Sequence, residues 1–151
     1  MADIAASQAH QEKTPYQKAF EIMNGMQEFH DIETRFRLEN IEGTAQNYLK
    51  QNLWGRAGNQ FIFFAAHIAL HNANSKETPA KFVECLKTAK ENYAKYLPQV
   101  IDKYKPGYQK RIENLDFLIA NAGIAFKAEI EVLTKRGRLK SSSEDFSTPA
   151  K

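Results

Sequence analysis

The sequence predicts an all-α protein, a helical bundle of four main helices with one or two short extra helices, and three observations predict it. Apolar residues recur at three- and four-residue spacing through most of the chain. Two Thr-Pro pairs, Thr14-Pro15 and Thr78-Pro79, have the form of helix starts, a capping hydroxyl followed by a ring that fits the first turn. No stretch alternates apolar and polar residues for long enough to build a sheet.

The elements follow in order. Residues 1–13 read as a flexible lead, and residues 14–137 as a single helical-bundle domain. Thr14 is the expected N-cap, with Pro15 at the first helical position and Gln17 completing a capping box. Ala19, Ile22, Met26, Phe29, Ile32 and Phe36 share one face, which carries the first helix to about Glu39 and a break to Gly43-Thr44. A shorter helical pattern spans Thr44 to Leu53. Gly55 and Gly58, on either side of Arg56, predict a hinge or a close helix crossing.

Asn59 to Asn74 forms the expected central helix, stopped by Asn72, Asn74 and Ser75. Beyond Thr78-Pro79, a stripe of Phe82, Leu86, Ala89, Tyr93 and Tyr96 predicts a helix that Pro98 ends or kinks. Pro106-Gly107 reads as a second break. A long helix from Tyr108 to Arg136 is expected next, with Ile112, Leu115, Ile119, Ala122, Phe126 and Leu133 inward and Gly137 past its end. Residues 138–151 read as a mobile C-terminal tail, since Leu139 and Phe146 alone offer too little apolar surface to offset the entropy of ordering it. The predicted core includes Ile22, Phe29, Phe61, Phe64, Leu86, Ile119 and Phe126.

Composition bounds the chemistry. A chain of 151 residues with 42% hydrophobic and 26% charged side chains is one globular domain. The single cysteine, Cys85, excludes an internal disulfide and a multi-cysteine metal knuckle, and its apolar neighbours predict a buried, inert thiol. Residues 1–13 lack a basic start with an apolar run behind it, and Phe61 to Leu70 falls short of a membrane span. A soluble, cytoplasmic protein is the resulting expectation.

The central helix carries one polar stripe. Arg56, Gln60, His67, His71 and Asn74 fall within about 60° of one another on a helical wheel. They form a candidate partner groove. His67 and His71, one helical turn apart, could also share one transition metal ion, with His30 as the internal candidate for a third ligand. Without that ion, no cofactor is expected. The sequence contains no Glu-x-x-His di-iron signature, zincin motif, phosphate loop or nucleophile elbow, and so specifies no catalytic residue.

Charge is unevenly spread: residues 1–78 carry seven basic and nine acidic side chains, residues 79–151 fourteen and nine. The excess is densest from Lys87 to Arg111, where Lys103, Lys105, Lys110 and Arg111 form a candidate basic patch among tyrosines 93, 96, 104 and 108. Three readings follow, in rank order. The first is a non-enzymatic protein-interaction module, such as an adaptor, assembly subunit, chaperone-like protein or effector, binding another protein or a second copy of itself. The second is a metal- or small-molecule-binding bundle using His67 and His71. The third is a weak binder of nucleic acid or an acidic membrane through residues 87–111.

Overall fold

The computed structural model describes residues 13–26 and 38–135. Among them the chain forms six α-helices and no strand, so the protein is all-α. The lead up to residue 12, the tail from residue 138, and Phe29, His30, Ile32 and Phe36 lie outside the described residues.

Helix α1, Pro15–Gly25, starts as its sequence dictates: the Thr14 hydroxyl accepts from the Gln17 backbone N–H at 3.1 Å, and the Gln17 side chain accepts from the Thr14 N–H at 3.0 Å. Helix α2, Leu38–Lys50, runs through the break expected at Gly43-Thr44. A Cβ at Gly43 would have open space around it, and Ile41 and Ala45 are buried on either side. Burial of those flanks outweighs the roughly 1 kcal/mol that glycine costs a helix. The turn comes later. Asn52, at φ 59°, takes the left-handed position after α2, while the Asn52 and Leu53 N–H groups donate to the carbonyls of Leu49 and Tyr48.

Helix α3, Trp54–His71, begins five residues before the expected Asn59, because Gly55 and Gly58 lie inside it. Of the two roles expected for these glycines, the close crossing is the one found. A Cβ on Gly58 would sit 2.7 Å from the Tyr93 ring, and one on Gly55 would sit 2.8 Å from the Tyr96 ring. The two tyrosines therefore lie in notches that only glycine leaves open. Tyr93 also donates its hydroxyl to Asn59 Oδ1 across the same crossing. From Phe61 to Leu70 every residue of α3 is buried. Asn72 ends the helix, its side-chain amide donating to the Ile68 carbonyl at 2.7 Å.

Helix α4, Ala80–Tyr96, is capped by Pro79 rather than Thr78, with no side-chain cap. Pro79 is extended at ψ 134°, which delays the helix by one residue and leaves its carbonyl to accept the Phe82 N–H at 3.1 Å. Pro98 acts as expected: α4 stops at Tyr96, and two short 3₁₀ turns, Leu97–Gln99 and Asp102–Tyr104, make the connection. Pro106-Gly107 is not a break. It occupies the first turn of α5, Lys105–Ala120, where a missing N–H loses no helical bond.

The long helix expected over Tyr108–Arg136 is divided at Asn121. The Asn121 side-chain amide and backbone N–H both donate to the Phe117 carbonyl, at 2.9 and 3.0 Å. Its own carbonyl accepts from Ala125 at 2.8 Å, which starts α6, Ala122–Lys135.

Helix α3 packs against α2, α4 and α6, while α1 packs on α6 and α5 on α4. Phe61, Phe64, Leu86 and Phe126 are core residues as predicted, and Phe82 meets Phe126 edge to face at 5.4 Å. Ile22 and Ile119 are only partly buried against that core, while Ala19 and Met23 carry the buried side of α1. The Tyr16 hydroxyl donates to Glu131, joining α1 to α6, and a Lys90–Asp116 ion pair joins α4 to α5. At the start of α3 the Trp54 ring lies under the Lys95 ammonium at 4.8 Å.

Candidate functional site

The residues of the expected polar stripe do not share one environment, and Asn74 lies beyond the end of α3 at His71. Arg56, His71 and Asn74 are exposed, Gln60 is half-buried, and His67 is buried at 3% exposure. Helix α2 covers part of the stripe: the Gln60 amide donates to the Ile41 carbonyl at 3.4 Å. The His67 ring meets Phe63 edge-on at 4.5 Å and stacks with His71 at 6.3 Å between centroids. His71 sits at the helix end, more open to solvent but dehydrated enough that its pKa is lowered. Among the described residues no three His, Cys, Asp or Glu side chains come together as a metal-binding group, and His30 is outside that set. Cys85 is buried on α4, and burial pushes its thiol up to about 12.

The opposite case is the α4–α5 connection. Pro98 stops α4 and Pro106 starts α5, so residues 97–104 turn the chain in two 3₁₀ segments. Val100 anchors the turn at 6% exposure, while its neighbour Ile101 is 63% exposed and Tyr104 54%. Only Tyr16 joins them as an exposed large hydrophobic among the described residues. Beside these two side chains is an open cleft of about 490 Å³, lined by Tyr96, Gln99, Val100, Ile101, Tyr104, Tyr108 and Arg111. Tyr96 and Tyr108 meet edge to face at 5.2 Å and form one wall.

The basic patch read from sequence divides here. Lys103 and Lys110 are exposed and Lys105 is half-buried, with Lys103 5.5 Å from the Tyr104 ring. Lys105 pairs with Asp102 at 3.5 Å and Lys110 with Glu113 at 3.9 Å. Arg111 belongs to the wall instead. Its guanidinium lies 4.6 Å from the Tyr108 ring and 5.6 Å from the Tyr93 ring. Burial drives the Tyr93 phenol above its ordinary pKa, and the neighbouring Arg111 charge opposes that rise. Such a site has an apolar, aromatic lining with the Arg111 guanidinium in its wall, suited to holding a ring or aliphatic group.

Ile101, Gln99 and Val100 were not singled out from sequence. The signal was present, though: an apolar Val-Ile pair in a connection between Pro98 and Pro106 has no helical face to occupy. Two further clefts, of about 340 Å³ beside Tyr16 and Glu131 and about 560 Å³ beside Thr78 and Lys127, are lined by neither Ile101 nor Tyr104. No helix among the described residues is long and apolar enough to cross a membrane. No protein family, curated protein or solved structure matches the chain.

Proposed function

We propose that this chain is a non-enzymatic helical interaction module, and that it docks a protein partner at the α4–α5 end rather than along the α3 stripe. The observation that carries the reading is the pair of projecting apolar side chains, Ile101 at 63% and Tyr104 at 54% exposure, beside a tyrosine-lined cleft. Exposed apolar groups gathered at one place and rimmed by charge favour association, because covering them removes apolar surface from water. The interior position of His67 supports the same choice, since a buried ring offers little to a partner.

The test pairs two double variants. Ile101→Ser, Tyr104→Ser alters only exposed side chains, so stability should stay within about 0.5 kcal/mol of wild type. Quantitative affinity capture should show the wild-type partner lost from that variant and retained by Arg56→Ala, Asn74→Ala. The reverse pattern would move the docking face to the stripe. Stoichiometric transition metal in purified protein, removed by His67→Ala, His71→Ala, would instead favour the metal-binding reading.

A further inference from the structure

The docking cleft has no anion of its own. None of the seven residues lining it is acidic, and one, Arg111, is cationic. Around it, the Asp102 carboxylate is held by Lys105 at 3.5 Å, and Lys110 lies 3.9 Å from Glu113. Lys95 and Lys103 are different. Both are exposed, and among the described residues each meets an aromatic ring instead of a carboxylate: Trp54 at 4.8 Å and Tyr104 at 5.5 Å. Each is also the chain neighbour of a lining tyrosine, Lys95 of Tyr96 and Lys103 of Tyr104. From Lys95 to Arg111 five basic side chains stand against Asp102 alone, so this end keeps its positive charge.

We propose that the partner docked at the α4–α5 end is an acidic peptide segment carrying one aromatic or long aliphatic side chain; the inference rests on that end being the docking face. The apolar side chain fills the cleft beside Ile101 and Tyr104, and its neighbouring carboxylates face Lys95, Lys103 and Arg111. Burial of that side chain supplies affinity, while the charges supply selectivity and speed of encounter. Three other occupants fit less well. A second copy of this end would bring Lys95, Lys103 and Arg111 against their like. A flat lipid surface covers the projecting Ile101 and Tyr104 but leaves a cleft of about 490 Å³ unfilled. Single-stranded nucleic acid needs open ring faces on which to stack its bases. The Tyr96 and Tyr108 rings are instead turned edge to face against each other, and Tyr96 is seated in the Gly55 notch.

The test is a selection of phage-displayed random peptides on the immobilised full chain, with the Ile101→Ser, Tyr104→Ser variant as counter-selection. Enriched sequences should be net acidic and share one aromatic or aliphatic position. A fluorescein-labelled synthetic peptide of the enriched sequence then gives the Kd by anisotropy. Lys95→Glu, Lys103→Glu, or an ionic strength of about 1 M, should weaken binding roughly tenfold or more. Lys76→Glu, Lys127→Glu makes the same change in net charge beside the Thr78 cleft, and should leave the Kd within about twofold of wild type. Alanine at the shared apolar position of the peptide should also cost about tenfold or more. Circular dichroism of every variant should match that of wild type.

Enriched peptides that are neutral or basic, or a Kd equally sensitive to both lysine pairs, overturn the acidic partner and leave the docking face standing. So does binding of phosphatidylserine vesicles, or of a mixed-sequence single-stranded oligonucleotide, that depends on Ile101 and Tyr104 while no acidic peptide is enriched. If neither peptide, vesicle nor oligonucleotide distinguishes wild type from Ile101→Ser, Tyr104→Ser, the docking face itself falls, and the inference with it.

Discussion

His71 shows how one side chain ties stability to pH. Dehydration at the end of α3 lowers its pKa below the ordinary 6.5, so the folded chain holds that proton less well than the unfolded chain does. The stabilisation is complete above pH 6.5, where both states are neutral at this ring. It is lost as pH falls through the lowered folded value, because the unfolded chain then binds the extra proton. Melting temperature should therefore decline as pH drops below 6.5. His71→Gln should flatten that part of the profile, and an identical slope in wild type and variant would show that other groups set it. The spacing of His67 and His71 was legible in the sequence, but their different environments were not. A helical wheel gives the side a residue faces, whereas burial depends on what packs over that side. Here the Gln60–Ile41 contact shows α2 doing so.

At the scale of elements, local chemistry was the most readable part. The Thr14 capping box and the stop at Pro98 both follow from backbone groups within a few residues, and both are found. The break expected at Gly43-Thr44 and the unbroken helix expected over Tyr108–Arg136 fail for opposite reasons. Gly43 looks like a break because its local cost is visible, but the compensating burial of Ile41 and Ala45 is tertiary. Asn121 interrupts a helix whose apolar periodicity continues on both sides, because its amide competes for the Phe117 carbonyl. The glycines give a paired test. Gly58→Ala gains helix propensity yet places a methyl 2.7 Å from the Tyr93 ring, so it should destabilise by about 1–3 kcal/mol. Gly43→Ala meets open space and should stabilise by about 0.5–1 kcal/mol. Urea denaturation of both variants measures the contrast. Equal effects would mean that the α3–α4 crossing tolerates separation.

For the whole molecule, the all-α class was legible because helical periodicity repeats along the chain, and no single misplaced boundary changes it. The candidate docking face was only half legible. Clustered lysines and tyrosines marked the region, but the projection of Ile101 depends on Val100 turning inward within the folded connection. Cys85 tests how the fold opens as a unit. It is 1% exposed on α4, and burial holds its thiol at about 12, so a disulfide reagent near neutral pH meets neither access nor thiolate. Labelling should be slow in buffer and should accelerate with denaturant along the same curve as loss of helical ellipticity. Fast labelling of a fully helical chain would reveal that α4 detaches independently.

The cation over Trp54 has an optical consequence. Trp54 is the only tryptophan of the chain, and Lys95 in the last turn of α4 holds its ammonium 4.8 Å from the indole ring. The next residue, Gly55, is the notch for Tyr96, whose ring continues into the cleft wall with Tyr108. Indole emission is sensitive to the position of a nearby charge, so the protein carries a native fluorophore two contacts away from its open end. Displacement of Tyr96 by an incoming group would shift α4 against α3 and alter the Lys95–indole distance. Occupancy of that end could then be followed by emission wavelength in unlabelled protein, with Lys95→Met, which removes the charge but keeps an unbranched side chain, as the silent control.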